Sequence, residues 1–235
     1  MSKVLVIPDV HLKTWIFDKA VKIIEENEFD NIVLLGDLVD DWDQELNIKL
    51  YKETLDKVYD FVTRYPETLL CLGNHDVSYL WEAFETGYSV YARNTVVDGI
   101  NKIMYAMPAD NVGFIHKIDN VLFSHAGLTE RFLITNFGYG ENLGIEYILR
   151  QINQMGMDKL WNDHSPIWAR PQNSQMRMYP PDMLQIVGHT PVKGVVQEGN
   201  LVSTDNFSTY RDGTPIGDEK FIWVDTEKME IIILE

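Results

Sequence analysis

The chain has 235 residues, 45% hydrophobic and 24% charged, which suits a globular protein with a sizeable core and excludes a fibrous or disordered one. Its 36 acidic and 20 basic side chains leave a net charge of −16, which repels a phosphate backbone and excludes broad, stable nucleic-acid binding. One cysteine, Cys71, allows no intrachain disulfide, no run approaches the ~20 apolar residues of a membrane span, and no secretory leader is read, so a cytoplasmic protein with no membrane partner is expected.

Lys3–Pro8 is short and rich in Val and Ile, and predicts a strand. It runs into Asp9-Val10-His11, where an extended backbone puts Asp9 and His11 on one face, able to share a cation. Trp15–Glu26 predicts a helix with Ile16, Ala20, Ile23 and Ile24 on one side. Asn31–Leu35 predicts a second strand, leading into Gly36-Asp37; the glycine permits a sharp turn, and the carboxylate can bridge two cations. Glu45–Tyr65 predicts a helix, with Leu50, Leu55, Val58, Phe61 and Val62 near helical spacing and Pro66 as its stop. Leu69–Leu72 predicts a third strand ending in Gly73-Asn74-His75-Asp76, where Asn74 can coordinate through its carbonyl oxygen. This alternation implies a parallel sheet with right-handed crossovers.

The second half changes character. Val112–Ile118 and Asn120–Ser124 predict a hairpin across Asp119-Asn120, its second strand ending at His125. Gly140–Met155 predicts a helix, and the proline-bearing residues 156–183 read as a long loop. Gln185–Gly188, ending at His189, then Gly194–Gln197, Leu201–Asp205, Lys220–Asp225 and Met229–Leu234 predict successive strands. No repeat or linker divides the chain, so one domain over residues 1–235 is expected, with two facing sheets flanked by helices.

Five apolar runs thus end in ligand-type residues. Side chains just past strand ends line the ligand crevice of an open sheet. Asp9, His11, Asp37, Asn74, His125 and His189 are therefore expected around one spot. A mixed nitrogen and oxygen set with a bridging carboxylate favours Mn, Fe or Zn over Ca or Mg, and suits two cations held for phosphate ester chemistry. An isolated Asp-x-His or Gly-Asp is common without metal. Five such ends together are hard to explain as satisfied core polar groups.

Asp9-Val10-His11, Gly36-Asp37-Leu38-Val39-Asp40, Gly73-Asn74-His75-Asp76, His125-Ala126-Gly127-Leu128 and Gly188-His189-Thr190-Pro191 resemble the motifs of the calcineurin-like metallophosphoesterase superfamily, over about residues 4–206. Ser124-His125-Ala126-Gly127-Leu128 and Val187-Gly188-His189-Thr190-Pro191 look most like its phosphoprotein phosphatase branch. That branch includes bacterial and bacteriophage Ser/Thr phosphatases and symmetrical diadenosine tetraphosphatases. The resemblance implies an α/β (α+β) fold, a four-layer sandwich of two facing mixed β-sheets flanked by helices. It implies that Asp9 and His11 hold a first metal, that Asp37 bridges, and that Asn74, His125 and His189 complete a second, with Asn74 also touching phosphate. It also implies hydrolysis of phosphomonoesters by a metal-bridging hydroxide, with Mn the first metal to try in vitro and Fe or Zn as alternatives.

His75, beside Asn74, is a candidate general acid for the leaving alkoxide, with Asp40 to orient it and keep it protonated; the resemblance assigns the same roles. The alternative is a structural histidine. Trp168-Ala169-Arg170-Pro171 resembles the segment that brings a phosphate-binding arginine into bacterial members, so Arg170 is the candidate clamp, weighed against a surface salt bridge. One departure stands out. The branch reads Gly-Asp-x-x-Asp-Arg-Gly, whereas here Asp40 is followed by Asp41-Trp42. Asp41 would repel a dianionic monoester, which predicts a shift towards a diester, a substrate with a basic group, or an extra cation.

Asp205-Asn206 is expected either to support His189 or to form a simple turn. His116 reads as a strand residue and His164 as a loop residue. Leu80–Tyr91, with Trp81, Phe84, Tyr88 and Tyr91, is expected to pack in the core, with a pocket for a base or peptide as the alternative. The leading functional reading is a Ser/Thr-type phosphomonoesterase acting on a phosphoprotein. A dinucleoside polyphosphate or nucleotide phosphohydrolase or phosphodiesterase is the second, and a non-catalytic binding scaffold the third, against which six intact ligands argue.

Overall fold

The structure, a computed structural model, describes residues 2–138, 143–173 and 176–234. Its first strand, β1 (Lys3–Ile7), is buried on both faces. Val4 and Val6 point into one apolar cluster, Leu5 and Ile7 into another. Strands covered on both sides read as continuous apolar runs, which is why the first half lacks alternation. Helix α1 (Trp15–Glu26) leads to β2 (Asn31–Leu34), and α2 (Ile48–Arg64) to β3 (Thr68–Cys71). After α3 (Asn74–Trp81) and α4 (Arg93–Ala106), the two-residue β4 (Val112–Gly113) completes a parallel run β1-β2-β3-β4.

The chain then changes sheets. Strands β5 (Ile115–Ile118) and β6 (Val121–Ser124) form the expected hairpin, but the expected strand 112–118 is split at Phe114 between the two sheets. The side chain of Asn153 fills the break: its Oδ1 accepts from the backbone N–H of Phe114 and Ile115, and its Nδ2 donates to Ile115 O. Helices α5 (Glu130–Phe137), α6 (Ile145–Ile152) and α7 (Met157–Leu160) precede β7 (Leu184–Val187), β8 (Val196–Glu198) and β9 (Leu201–Ser203). The second sheet runs β5-β6-β7-β9-β8, with β6, β7 and β9 parallel. Strands β10 (Ile222–Asp225) and β11 (Glu230–Ile233) return to the first sheet as an antiparallel edge on β1.

Between the sheets lie Val4, Val6, Val33 and Cys71 from one side and Phe123, Leu184, Ile186 and Val202 from the other. The outer face of the first sheet packs Leu5, Ile7, Leu34 and Leu70 against Phe17, Val58 and Phe61 of its helices. Two mixed sheets with helices outside are the expected layers. Several local expectations differ. Helix α2 starts at Ile48 rather than Glu45, because Asn47 caps it by accepting from Leu50 N–H. The helix expected over 140–155 is Ile145–Ile152, and residues 140–142 of that expectation lie outside the described residues. Helices α3, α4 and α5 were not foreseen, although Val96, Ile100 and Ile103 of α4 are buried at helical spacing. Among the described residues of 156–183, α7 and one 3-10 turn, Pro171–Asn173, are the helical elements. Among the described residues, no helix is long and apolar enough to cross a membrane.

Candidate metal centre

Tight turns at the strand ends aim the ligands. Asp37 follows Gly36, and a Cβ on Gly36 would stand 2.5 Å from the carbonyl oxygen of Cys71. His11, Asp37, Asp40 and His189 all have positive φ, at 42°, 46°, 66° and 63°. Left-handed backbone costs a non-glycine residue about 1–2 kcal/mol, and such strain gathers where function needs a side chain aimed. Gly188 answers a different need. Any Cβ there would fall 1.8 Å from Asp9 Oδ1, and the same carboxylate accepts the His189 backbone N–H at 2.9 Å.

All six expected ligands meet. Donor atoms of Asp37, His125 and His189 lie within 4.8 Å of one another, as do those of Asp9, His11 and Asp37. Asp37 belongs to both groups: its Oδ2 is 3.2 Å from His125 Nε2 and 3.7 Å from His11 Nε2. Asn74 Oδ1 lies 2.9 Å from His125 Nε2, and His189 Nδ1 lies 3.0 Å from the same nitrogen. His125 Nδ1 donates to Leu35 O and His11 Nδ1 to Asp40 O, each at 2.8 Å. Those bonds leave both Nε2 atoms facing the centre, the orientation a metal-binding imidazole needs.

The electrostatics point the same way. Burial, then Asp205 and Asp37, push the Asp9 carboxyl well above its ordinary pKa. Burial works against Asp37, yet His125, His75 and His11 hold it well below. Against burial, Asp37 and Asp9 draw the His125 imidazole up to about 9. Burial lowers His11, and burial with His125 and Arg170 lowers His189 well below its ordinary value, so both rings are neutral and offer lone pairs. Buried carboxyl groups crowded among three imidazoles, two of them neutral, with no thiolate, are a donor set that fits Mn, Fe or Zn.

Beside this centre, His75 Nδ1 sits 2.9 Å from Asp40 Oδ2. Burial opposes its charge, but Asp37, Asp40 and Glu85 push the imidazole up to about 10. Asp40 is held from behind: its Oδ1 accepts the hydroxyls of Tyr51 and Tyr79, and Tyr79 accepts Ser89 N–H. Burial and the Asp40 charge raise both phenols, which stay protonated donors. Neither tyrosine was marked by the sequence, where Tyr51 is one more residue on the buried stripe of α2. Asp76 was also missed. Its two oxygens accept Leu38 N–H and Gly73 N–H at 2.9 Å, tying the loops that carry Asp37 and Asn74. Glu85 Oε2 accepts from Asn74 Nδ2 at 2.9 Å, which fixes the Asn74 carbonyl towards His125.

The remaining candidates divide. Arg170 Nη1 donates to His189 O at 2.8 Å and to Thr190 Oγ1 at 3.2 Å, so the guanidinium is anchored on the His189 loop and lines the cleft. Asp41 is not a bare charge: the ammonium of nearly buried Lys13 stands 3.0 Å from its Oδ2. Asp205 acts on Asp9 and His11, while the backbone of His189 is held by Asp9. His116 lies in β5 and donates to Leu70 O as a buried neutral ring. His164 lies in the loop before Pro171. In the 80–91 segment, Tyr88 stacks on Tyr79 and Trp81 packs on Phe114, as expected of core residues, but Phe84 and Tyr91 are exposed.

A cleft of about 420 Å³ opens over the centre, bordered by His11, Asp37, His75, Arg170 and His189. The family model for calcineurin-like phosphoesterase matches residues 2–213. The chain belongs to this family. As a calcineurin-like phosphoesterase it is a metal-dependent phosphoric ester hydrolase, and the family uses a dinuclear metal centre. Solved structures share its fold at low identity. A cold-active protein-tyrosine phosphatase from a psychrophilic Shewanella species is 16% identical with TM-score 0.55, covering 100% of this chain and 81% of that one. A protein serine/threonine phosphatase from Saccharomyces cerevisiae is 16% identical with TM-score 0.52, covering 100% and 80%. A hypothetical protein from Pyrococcus horikoshii is 14% identical with TM-score 0.50, covering 100% and 88%. No curated protein matches the chain.

Proposed function

We propose that this phosphoesterase hydrolyses phosphomonoesters with the machinery of a Ser/Thr-type phosphoprotein phosphatase. The observation that carries this reading is the convergence of Asp9, His11, Asp37, Asn74, His125 and His189, with a hydrogen-bonded His75–Asp40 pair alongside. Asp9, His11 and Asp37 would hold one cation, and Asp37, Asn74, His125 and His189 a second. The cations supply charge stabilisation for the phosphoryl group and an activated water at neutral pH.

The chain's own groups supply the rest. Arg170, anchored on the His189 loop, offers a planar fork to two phosphoryl oxygens. His75 carries a proton at neutral pH and delivers it from Nε2 to the leaving oxygen, while Nδ1–H stays bonded to Asp40. Asp40 keeps its orientation because two buried phenols bind its other oxygen. Lys13 cancels Asp41, which supports a monoester over the diester that Asp41 alone would favour. The Lys13 ammonium faces the cleft from beside the His11 backbone.

Protein stripped with EDTA and refilled with Mn²⁺ should cleave p-nitrophenyl phosphate and a phosphoserine peptide, and Asp37→Asn should abolish both activities. Dominant cleavage of bis-p-nitrophenyl phosphate would replace this reading with a phosphodiesterase. No turnover with Mn²⁺, Fe²⁺ or Zn²⁺ would leave the non-catalytic scaffold.

A further inference from the structure

Five strand ends carry the candidate ligands, and a further one reaches the same cleft. Strand β9 runs parallel to β7, with Ser203 paired to Val187. Asp205 therefore stands two residues past its strand, as His189 stands two past the neighbouring one. The Asp205 backbone is pinned in that place, because its carbonyl accepts Val192 N–H at 2.8 Å. The next side chain, Asn206, donates to Asp218 Oδ1 at 2.8 Å and to Lys220 O at 2.9 Å, which fixes the turn.

Asp205 is 1% exposed and lines the cleft with His11, Asp37 and His189. Its Oδ1 is buried and has no hydrogen-bond partner. Neither form of the carboxyl resolves this. Ionised, that oxygen lacks a donor; protonated there, the hydroxyl lacks an acceptor. Buried polar atoms in folded proteins are paired, so this one calls for a partner that the chain does not supply. Charge locates the partner. Of the charged groups, Asp205 acts most strongly on Asp9, and His11 acts most strongly on Asp205. The free oxygen bears on the Asp9 and His11 side of the centre.

We propose that Asp205 is a positioning residue for the first cation, an outer carboxylate whose free Oδ1 and negative charge add to the hold of Asp9, His11 and Asp37. This rests on the dinuclear centre of the reading above and goes beyond its six ligands. Donor atoms of Asp9, His11 and Asp37 lie within 4.8 Å of one another, and Asp205 does not join that group, so it acts from outside the ligands. The two cations are then held unequally. Asp9, Asp37 and Asp205 surround the first with carboxyl groups, whereas the second has Asp37 among the neutral donors Asn74 and His189 and the His125 ring. Opposite charge at short range in a buried site strengthens binding, so Mn²⁺ should fill the first site before the second.

Calorimetric titration of EDTA-stripped protein with Mn²⁺ tests this without any turnover. The wild type should bind two ions in two unequal steps, the tighter lost in His11→Ala and the weaker in His125→Ala. Asp205→Asn, which keeps the volume and removes the charge, should weaken the tighter step about 10–100-fold, the usual effect of losing an outer partner, and leave the weaker step within about threefold. Asp205→Ala should do the same. In EDTA, Asp205→Asn should melt at or above the wild-type Tm, and its rise in Tm on adding Mn²⁺ should be smaller. Two equal steps in the wild type, or an unchanged tighter step in Asp205→Asn, would overturn the proposal. So would a lower Tm in EDTA with an unchanged rise in Mn²⁺, the mark of a purely structural carboxyl. The order of the wild-type steps decides even if neither variant folds. Turnover of p-nitrophenyl phosphate on the same samples separates the two claims. Two-step binding that depends on Asp205, without hydrolysis, would sink the phosphomonoesterase reading and leave Asp205 in its role; hydrolysis with an unaltered Asp205→Asn titration would do the reverse.

Discussion

The side-chain amide of Asn74 is held between two groups: its Nδ2 donates to Glu85 Oε2 at 2.9 Å, and its Oδ1 lies 2.9 Å from His125 Nε2. Without Glu85 the amide could turn its nitrogen to the centre, where it would repel a cation. Removing an outer partner of a metal ligand typically costs about 10–100-fold in affinity. Glu85→Ala should weaken binding of the second Mn²⁺ by that factor in calorimetric titration. Glu85→Gln, which still presents an acceptor oxygen to Asn74, should stay within about threefold of wild type. Wild-type affinity in Glu85→Ala would show that the amide needs no support.

His75 should matter most where the leaving group needs a proton. His75→Ala should lower kcat/KM for a phosphoserine peptide by about 10²–10⁴-fold, the usual worth of general acid catalysis, and for p-nitrophenyl phosphate far less. An equal loss on both substrates would assign His75 to binding instead.

The pH profile follows from the same pair. The His75 pKa is raised to about 10 by Asp37, Asp40 and Glu85 against burial, so the acid form is full at neutral pH and is lost as pH rises. Asp40→Asn removes one of those charges. The alkaline limb of kcat/KM should therefore move to lower pH in Asp40→Asn, and a limb that stays put would break the link. Tyr79→Phe, which deletes only one donor to Asp40, should shift it less.

Lys13 and Asp41 should behave as a unit. Lys13→Ala leaves the Asp41 carboxylate unpaired beside the cleft and should raise KM for a dianionic monoester severalfold, with a smaller effect on a monoanionic diester. Lys13→Ala/Asp41→Ala should recover most of that loss, a coupling that a double-mutant cycle reads directly. Additive losses would mean that the two side chains act separately.

Asp9, if it holds a cation as proposed, should destabilise the fold at neutral pH until that cation binds. Its carboxyl pKa is raised by burial, Asp205 and Asp37, so the folded state holds the proton more tightly than the unfolded chain. That contribution to stability is present at low pH and lost as pH rises through the folded pKa. In EDTA, Asp9→Asn should melt at or above the wild-type Tm at pH 7, and the difference should shrink as pH falls. With Mn²⁺ the order should reverse, because only the wild type gains the full stabilisation of ligand binding. A lower Tm for Asp9→Asn in EDTA would contradict this account.

The proposed ligand set could be drawn up from the sequence because five apolar runs lead into its members, and such runs are local signals of buried strands. Asp9, His11, Asp37, Asn74, His125 and His189 could be named from that pattern, as could the parallel β1-β2-β3 order. Helices α3 to α5 were missed where motif residues or aromatic content masked a helical period; α3 begins on Asn74 itself. The break at Phe114 was hidden because 112–118 is apolar throughout its first half, and only the Asn153 side chain marks where one sheet stops.

What the sequence alone determined is which residue types stand at which strand ends, since hydrophobic periodicity and turn chemistry act over a few residues. Tertiary structure decided what surrounds them. Asp9 meets the His189 backbone across 180 positions, and Trp42 meets Thr209 across 167. Tyr51 and Tyr79 became supports for Asp40, and Lys13 a counter-ion for Asp41, only when separate loops were brought to one cleft. A hydrogen bond or ion pair depends on two side chains meeting within about 3 Å, and no local pattern encodes that meeting; the packing of two sheets and their connecting loops does.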